Sequence, residues 1–261
     1  MKKSSRYYIR KSHRYLGLFI GIQFLFWTLG GLYFSWSSLD QIHGDHLTRS
    51  SKALPLTSPM ASPQLAIEQL KKTQRFDSLY SLQLIQILDT PVYQIQYYTL
   101  VNQESVVKTA LASSATGTIR PPLSRQEAVT VARNHFSVPS RVDTVEYLTT
   151  AMTNTHHEYR SKPLPAWAVH FEHPSEATVY VAAELGTFQS IRHLSWRVFD
   201  FLWMMHTMDY ASRDNFNNGL LRGFAILGLL TILSGFILYF ISSPSIRKLR
   251  KKRRVKKTIP L

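Results

Sequence analysis

Two stretches of the chain, Leu16 to Trp36 and Leu220 to Ile241, are almost wholly apolar. At about 1.5 Å per helical residue each is long enough to cross roughly 30 Å of hydrocarbon, and the pattern predicts transmembrane helices over 16–36 and 220–241. Between them the apolar positions change period. Ser62-Pro63-Gln64-Leu65-Ala66-Ile67 reads as a helix start, with Ser62 as cap and Pro63 at the first helical position. Ser124-Arg125-Gln126-Glu127-Ala128-Val129 reads as another, with a capping-box spacing between Ser124 and Glu127. Each start is followed by alternating runs that predict strands: 82–88, 92–100 and 106–111 in the first half, 142–148, 166–171 and 178–182 in the second. Each half then turns at Gly-Thr, Gly117-Thr118 and Gly186-Thr187, where glycine supplies a positive φ.

The pattern therefore predicts an α+β domain of two units, each a helix followed by an antiparallel sheet, held between two transmembrane helices. The divisions are a basic tail (1–15), a first span (16–36), an outer linker (37–61), two repeat units (62–120 and 121–194), an interfacial helix and loop (195–219), a second span (220–241) and a second basic tail (242–261). Residues 196–206 are aromatic but interrupted by charge, which suits a helix lying in the membrane interface. Asn218 is placed to cap the second span.

Charge fixes the orientation. Of 31 Lys and Arg, fifteen lie in the two tails with no acid among them, and the remainder balances the 16 Asp and Glu. The formal charge of +15 is thus a property of the tails and gives no support to nucleic-acid binding. Basic flanks remain on the cytoplasmic side during insertion, so the chain is expected in the cytoplasmic membrane with both ends inside and the middle outside. The run from Arg247 to Lys257 is expected to stop transfer and to meet anionic lipid head groups. The first apolar run is longer than a signal-peptide core and leads into Tyr33-Phe34-Ser35-Trp36, an interfacial anchor rather than a small-residue cleavage site. The chain has no cysteine and so no disulfide or thiolate site.

Arg10-Lys11-Ser12-His13-Arg14-Tyr15-Leu16-Gly17-Leu18, Phe201-Leu202-Trp203-Met204-Met205-His206 and the S-x-x-x-A-[VI] helix starts followed by Gly-terminated hairpins resemble, in that order, proteins with PepSY domains and PepSY-associated transmembrane helices. The hairpins read Ser113-Ser114-Ala115-Thr116-Gly117 and Ala182-Ala183-Glu184-Leu185-Gly186, without the aspartate common in that family, and longer relatives carry four or more spans. The resemblance implies either of two roles: reduction of siderophore iron through membrane haem, or inhibition or regulation of an envelope protease.

No G-x-S-x-G, H-E-x-x-H, P-loop or dinucleotide motif is present, which leaves histidine chemistry. The ten histidines avoid both apolar cores but gather at their edges, His13 at the inner edge, His43, His46 and His206 toward the outer one. Paired imidazoles are a common way to hold haem b. His13 and His206 are the candidate ligands, and a twofold homodimer would double each. His43 and His46 are alternative outer partners for His206. His13, Gly17 and Gly21 form one stripe, continued by Thr28, Gly31 and Ser35, that admits a flat macrocycle or another helix. His43-Gly44-Asp45-His46, His170-Phe171-Glu172-His173 and His156-His157-Glu158 have metal-like spacing but lack a third fixed ligand, so surface or packing roles are expected for them. His170 is expected to face solvent, opposite Trp167, Val169 and Phe171. The reductase-like role would pass electrons to a ferric siderophore, whereas the non-enzymatic role would bind a protein partner by strand addition.

Overall fold

The computed structural model describes residues 5–50, 53–54, 59–76 and 78–244. Lys2, Lys3 and the basic run from Arg247 to Lys257 lie outside the described residues. The first element, α1 (Ser5–Trp36), has 32 residues and so measures about 48 Å. It begins well before the apolar run, because Tyr7 to Tyr15 contains no glycine or proline to end a helix. Arg14 lies over the Tyr15 ring at 5.3 Å, the polar end of the helix folding onto its aromatic collar.

The segment expected as a linker folds onto the sheet domain. It forms α2 (Leu39–His43), capped by Ser38, and a 3₁₀ turn at Asp45–Leu47. Ile42 and Leu47 are buried, and Thr48 pairs with Phe136. The first repeat follows as α3 (Pro63–Thr73), then β1 (Ser78–Ile87), β2 (Thr90–Val101), β3 (Glu104–Ser113) and β4 (Ile119–Arg120), paired in that order as an antiparallel sheet. The second repeats the plan with α4 (Arg125–His135), β5 (Val142–Leu148), β6 (Ala166–Phe171), β7 (Thr178–Ala182) and β8 (Thr187–Arg192). Both helix starts are capped as their sequences require. Ser62 accepts from the Gln64 amide, and Ser124 and Glu127 form a complete capping box. A fourth strand, β4 and β8, follows each Gly-Thr turn in addition to the three expected.

Helix α3 covers one face of the first sheet, Ala66 and Leu70 meeting Tyr93, Ile95, Tyr97 and Ala112. The opposite face contributes Ile87, Val92 and Leu111 to a second core, shared with Ala128, Val131 and Ala132 of α4 and Val169, Val179, Val181 and Ile191 of the second sheet. Each fully buried aliphatic chain of this kind stabilises the fold by about 1.5–3 kcal/mol relative to exposure. The repeats therefore share one core. Gly186 makes the joint possible: its φ is +70°, and a Cβ there would lie 2.5 Å from Ile87 Cδ1 and 3.1 Å from Leu111 Cδ1. Beside it, Gln94 Nε2 donates to the Leu185 carbonyl at 2.6 Å.

The second sheet is covered on both faces. The connection between β5 and β6 folds back so that Tyr159, fully buried, stacks on Tyr180 with centroids 4.8 Å apart. This corrects the expectation for His170, which is half-buried with Nδ1 3.0 Å from Thr178 Oγ1 rather than open to solvent. Nearby Glu158 accepts from Arg197 Nε at 2.5 Å and from the Tyr180 hydroxyl.

Next comes α5 (Leu194–Thr207), a turn-rich loop from Met208 to Asn218, and α6 (Gly219–Ser242), which Asn218 caps by accepting from the Leu221 amide at 2.7 Å. Helices α1 and α6 pack antiparallel: Phe19 stacks on Phe224, Phe24 rests on Gly228, and His13 rests on Gly235. Both are long and apolar enough to cross a membrane. Their outer faces are apolar too, with Leu18 71 % and Ile226 61 % exposed, an inside-out arrangement that an apolar solvent satisfies and water does not.

Candidate histidine sites

His13 lies on the side of α1 that meets α6. Its Nδ1 is 2.7 Å from Ser234 Oγ, and Ser234 Oγ donates to the Thr231 carbonyl at 2.7 Å. With the single hydroxyl proton given to Thr231, His13 Nδ1 is the donor to Ser234, so the neutral ring carries its lone pair on Nε2. That tautomer is the one a metal-ligating imidazole uses when a neighbouring oxygen orients it. Gly235 is what lets the ring approach, since a Cβ there would sit 3.3 Å from His13 Cε1. The stripe expected to continue from His13 is different in kind: among the described residues a Cβ at Gly17, Gly21 or Gly31 would meet nothing within 4 Å.

His206 sits near the C-terminal end of α5 among Trp27, Phe34 and Trp203, with ring centroids 6.0, 6.0 and 6.4 Å away. Its Nδ1 is buried and has no hydrogen-bond partner. The end of α5 is held against α1 by side chains that satisfy its last carbonyls. Gln23 Nε2 donates to Met205 at 2.8 Å, Trp27 Nε1 to His206 at 3.0 Å and Asn218 Nδ2 to Thr207 at 2.9 Å. Helix ends away from water need such partners, because each terminus leaves carbonyls without intrahelical donors. The loop beyond is equally organised. Asp209 accepts from the Ser212 hydroxyl and from the amides of Asn215, Ser212 and Ala211, which hold its pKa down to about 2. Arg213 pairs with the buried Asp200.

Trp27 is fourteen residues along α1 from His13, a separation of about 21 Å. His13 and His206 therefore lie at different levels along α1, with one of these two imidazoles at each.

In the sheet domain His46 has as its ring neighbour His193, which the sequence had not singled out. The centroids are 5.6 Å apart and nearly perpendicular. His193 is buried, its Nε2 has no hydrogen-bond partner, and burial first and His46 next push its pKa below the ordinary histidine value. Gly44, at φ +83°, admits this ring, because a Cβ there would lie 3.3 Å from His193 Cδ2. His43 and His46 are exposed. His173 bonds to Ser175, and the Glu158 carboxylate of the His156-His157-Glu158 cluster is occupied by Arg197. Among the described residues no group of three or more histidines and acids is arranged to hold a metal ion.

Fold and site together define an α+β protein with a pair of helices suited to a membrane. No family model, no curated protein and no solved structure matches the chain.

Proposed function

We propose that the protein is a PepSY-type, two-span protein of the cytoplasmic membrane, tails inside and α+β domain outside, that serves iron acquisition by passing electrons through haem b to an extracytoplasmic ferric siderophore. The observation that carries this reading is the His13–Ser234–Thr231 chain, which leaves the His13 Nε2 lone pair available beside a glycine. Haem, when bound, supplies a one-electron iron couple. The chain's own residues supply ligation and orientation: His13 offers Nε2, Ser234 fixes the ring, and His206 offers an imidazole in an aromatic enclosure at the other level. A second copy related by a twofold axis would add the second His13 and the second His206. The test is the absorption spectrum of the full chain expressed with haem available. A Soret band that His13→Ala and His206→Ala each diminish supports the reading, and no band, or one that neither variant changes, refutes it.

A second reading, a non-enzymatic anchor that binds an envelope protease or other protein, is favoured by a different observation. At the far end of the first sheet Tyr80, Tyr98, Leu100 and Val107 are exposed on one face, Tyr80 edge-on to Tyr98 and Leu100 exposed by 73 %. Contiguous exposed apolar groups of this kind mark protein-binding surfaces. Partners captured from membranes by the native chain and lost with Leu100→Asp would support it; equal capture by both would refute it.

A further inference from the structure

The two sheets have four edges, and three of them are protected against pairing with another strand. β4 is only two residues long. β5 carries Asp143 and Glu146 and is bulged between Val142 and Val145. β8 ends in Arg192 and has α2 packed against it. Short length, charge, bulges and covering elements are the means by which edges are kept from associating. β1 has little of this protection. Its ten residues, Ser-Leu-Tyr-Ser-Leu-Gln-Leu-Ile-Gln-Ile, include no charge and no proline, and its one bulge lies near its start, between Leu79 and Ser81. Among the described residues β2 is the only strand paired with it.

This edge, unpaired among the described residues, has a definite register. Leu88 and Asp89, both at positive φ, form a two-residue turn, so the flanking pair Ile87–Thr90 is hydrogen-bonded and the pairs alternate from there. Ile87, Ile85, Gln83 and Ser81 thus direct their backbone groups toward β2, and Gln86, Leu84 and Leu82 direct theirs outward.

We infer that β1 is a dimerisation edge, pairing antiparallel with β1 of a second copy about a twofold axis at Gln83. The occupant follows from the residues. A strand paired with its own copy brings its charges close to like charges, and β1 has none to repel. The register centred on Gln83 sets the outward-facing Leu82 and Leu84 of each copy in the hydrogen-bonded positions, leucine against leucine on the face toward α3. On the other face Gln83 meets Gln83, amide to amide, in a non-hydrogen-bonded pair. Shifting the centre to Leu84 would set Gln83 against Ile85 and Leu82 against Gln86, which is poorer chemistry. The bulge before Ser81 ends the ladder at 81–85. Anchoring both copies in one membrane raises their effective concentration and favours so short a contact. This edge would provide a contact for the dimer invoked above, but it stands without haem.

The test uses the full chain in membranes, expressed without added haem, and exploits the absence of native cysteine. Gln83 is exposed, and its Cβ would face its copy across a non-hydrogen-bonded pair, close enough for a disulfide. Gln83→Cys is expected to give a disulfide dimer on treatment with diamide, at least tenfold faster than Asp143→Cys on the exposed edge of the other sheet. Gln83→Lys is expected to abolish the dimer seen by light scattering in mild detergent, and co-expression of Gln83→Lys with Gln83→Glu to restore it as a heterodimer. Equal crosslinking at 83 and 143 would overturn the inference, as would a monomeric native chain or a dimer indifferent to Gln83→Lys.

Discussion

Gly186→Ala tests the joint between the two repeats. The substitution adds one methyl group, and two separate costs follow from it. The backbone at 186 has φ +70°, where a side chain costs about 1–2 kcal/mol relative to glycine. The new Cβ would also lie 2.5 Å from Cδ1 of Ile87, a residue only 1 % exposed, and overpacking of a core costs about 1–3 kcal/mol. Together these give about 2–5 kcal/mol, or a fall of roughly 5–15 °C in the midpoint of a domain this size. The costs can be separated, because only the second depends on Cδ1. Ile87→Val removes that methyl and by itself costs about 0.5–1.5 kcal/mol. In the Gly186→Ala background it should instead recover about 1–2 kcal/mol, leaving the backbone cost and the 3.1 Å approach to Leu111 Cδ1. Thermal unfolding of the four proteins, followed by near-ultraviolet circular dichroism of the full chain in mild detergent, completes the cycle. Strict additivity of the two substitutions would refute the placement of Gly186 against Ile87 and with it the shared core.

Three further outcomes are expected. Burial raises the pKa of Glu127, but hydrogen bonds from the Ser124 amide and hydroxyl and the Arg120 partner outweigh it, so the net shift is downward. Its stabilisation is complete above the unfolded pKa of about 4.3 and is lost as pH falls through the lower folded value, so Glu127→Gln should narrow its gap from the native chain in unfolding midpoint across that acid range. Trp27→Phe leaves the His206 carbonyl without its donor and should lower the unfolding midpoint in detergent, at a cost of about 1–3 kcal/mol. Asp209→Ala releases the amides of Ala211, Ser212 and Asn215 and should speed tryptic cleavage after Arg213 severalfold, whereas the native loop, with Asp209 charged down to about pH 2, should resist cleavage at any pH where trypsin works.

Much of the sheet domain was legible because its signals are local. Ser62, Ser124 with Glu127, and Asn218 each cap the helix their spacing implied, and β5, β6 and β7 begin and end where the alternation does. What escaped depends on distant contacts or on the absence of a usual cue. The turns at Leu88-Asp89 and Asn102-Gln103 reach positive φ without glycine. β4 is too short to show a period. The second sheet is covered by Tyr159 with Leu164, inside a largely polar stretch whose composition suggests an open loop. Of the candidate site, the sequence singled out His13 and His206 as residues but not their neighbours. The oxygen that orients His13 belongs to Ser234, 221 residues away, and only folding brings it there. His193 had no motif around it, and its link to His46 likewise spans the domain.

The claim on which the functional account depends is that electrons cross the membrane through haem ligated at His13 and His206. Sealed vesicles carrying the haem-loaded chain, with a reductant trapped inside and a ferric siderophore outside, measure this directly. The account predicts external ferrous iron at a rate well above that of protein-free vesicles and near that background with His13→Ala. Reduction no faster than in protein-free vesicles, or undiminished by His13→Ala, would contradict it.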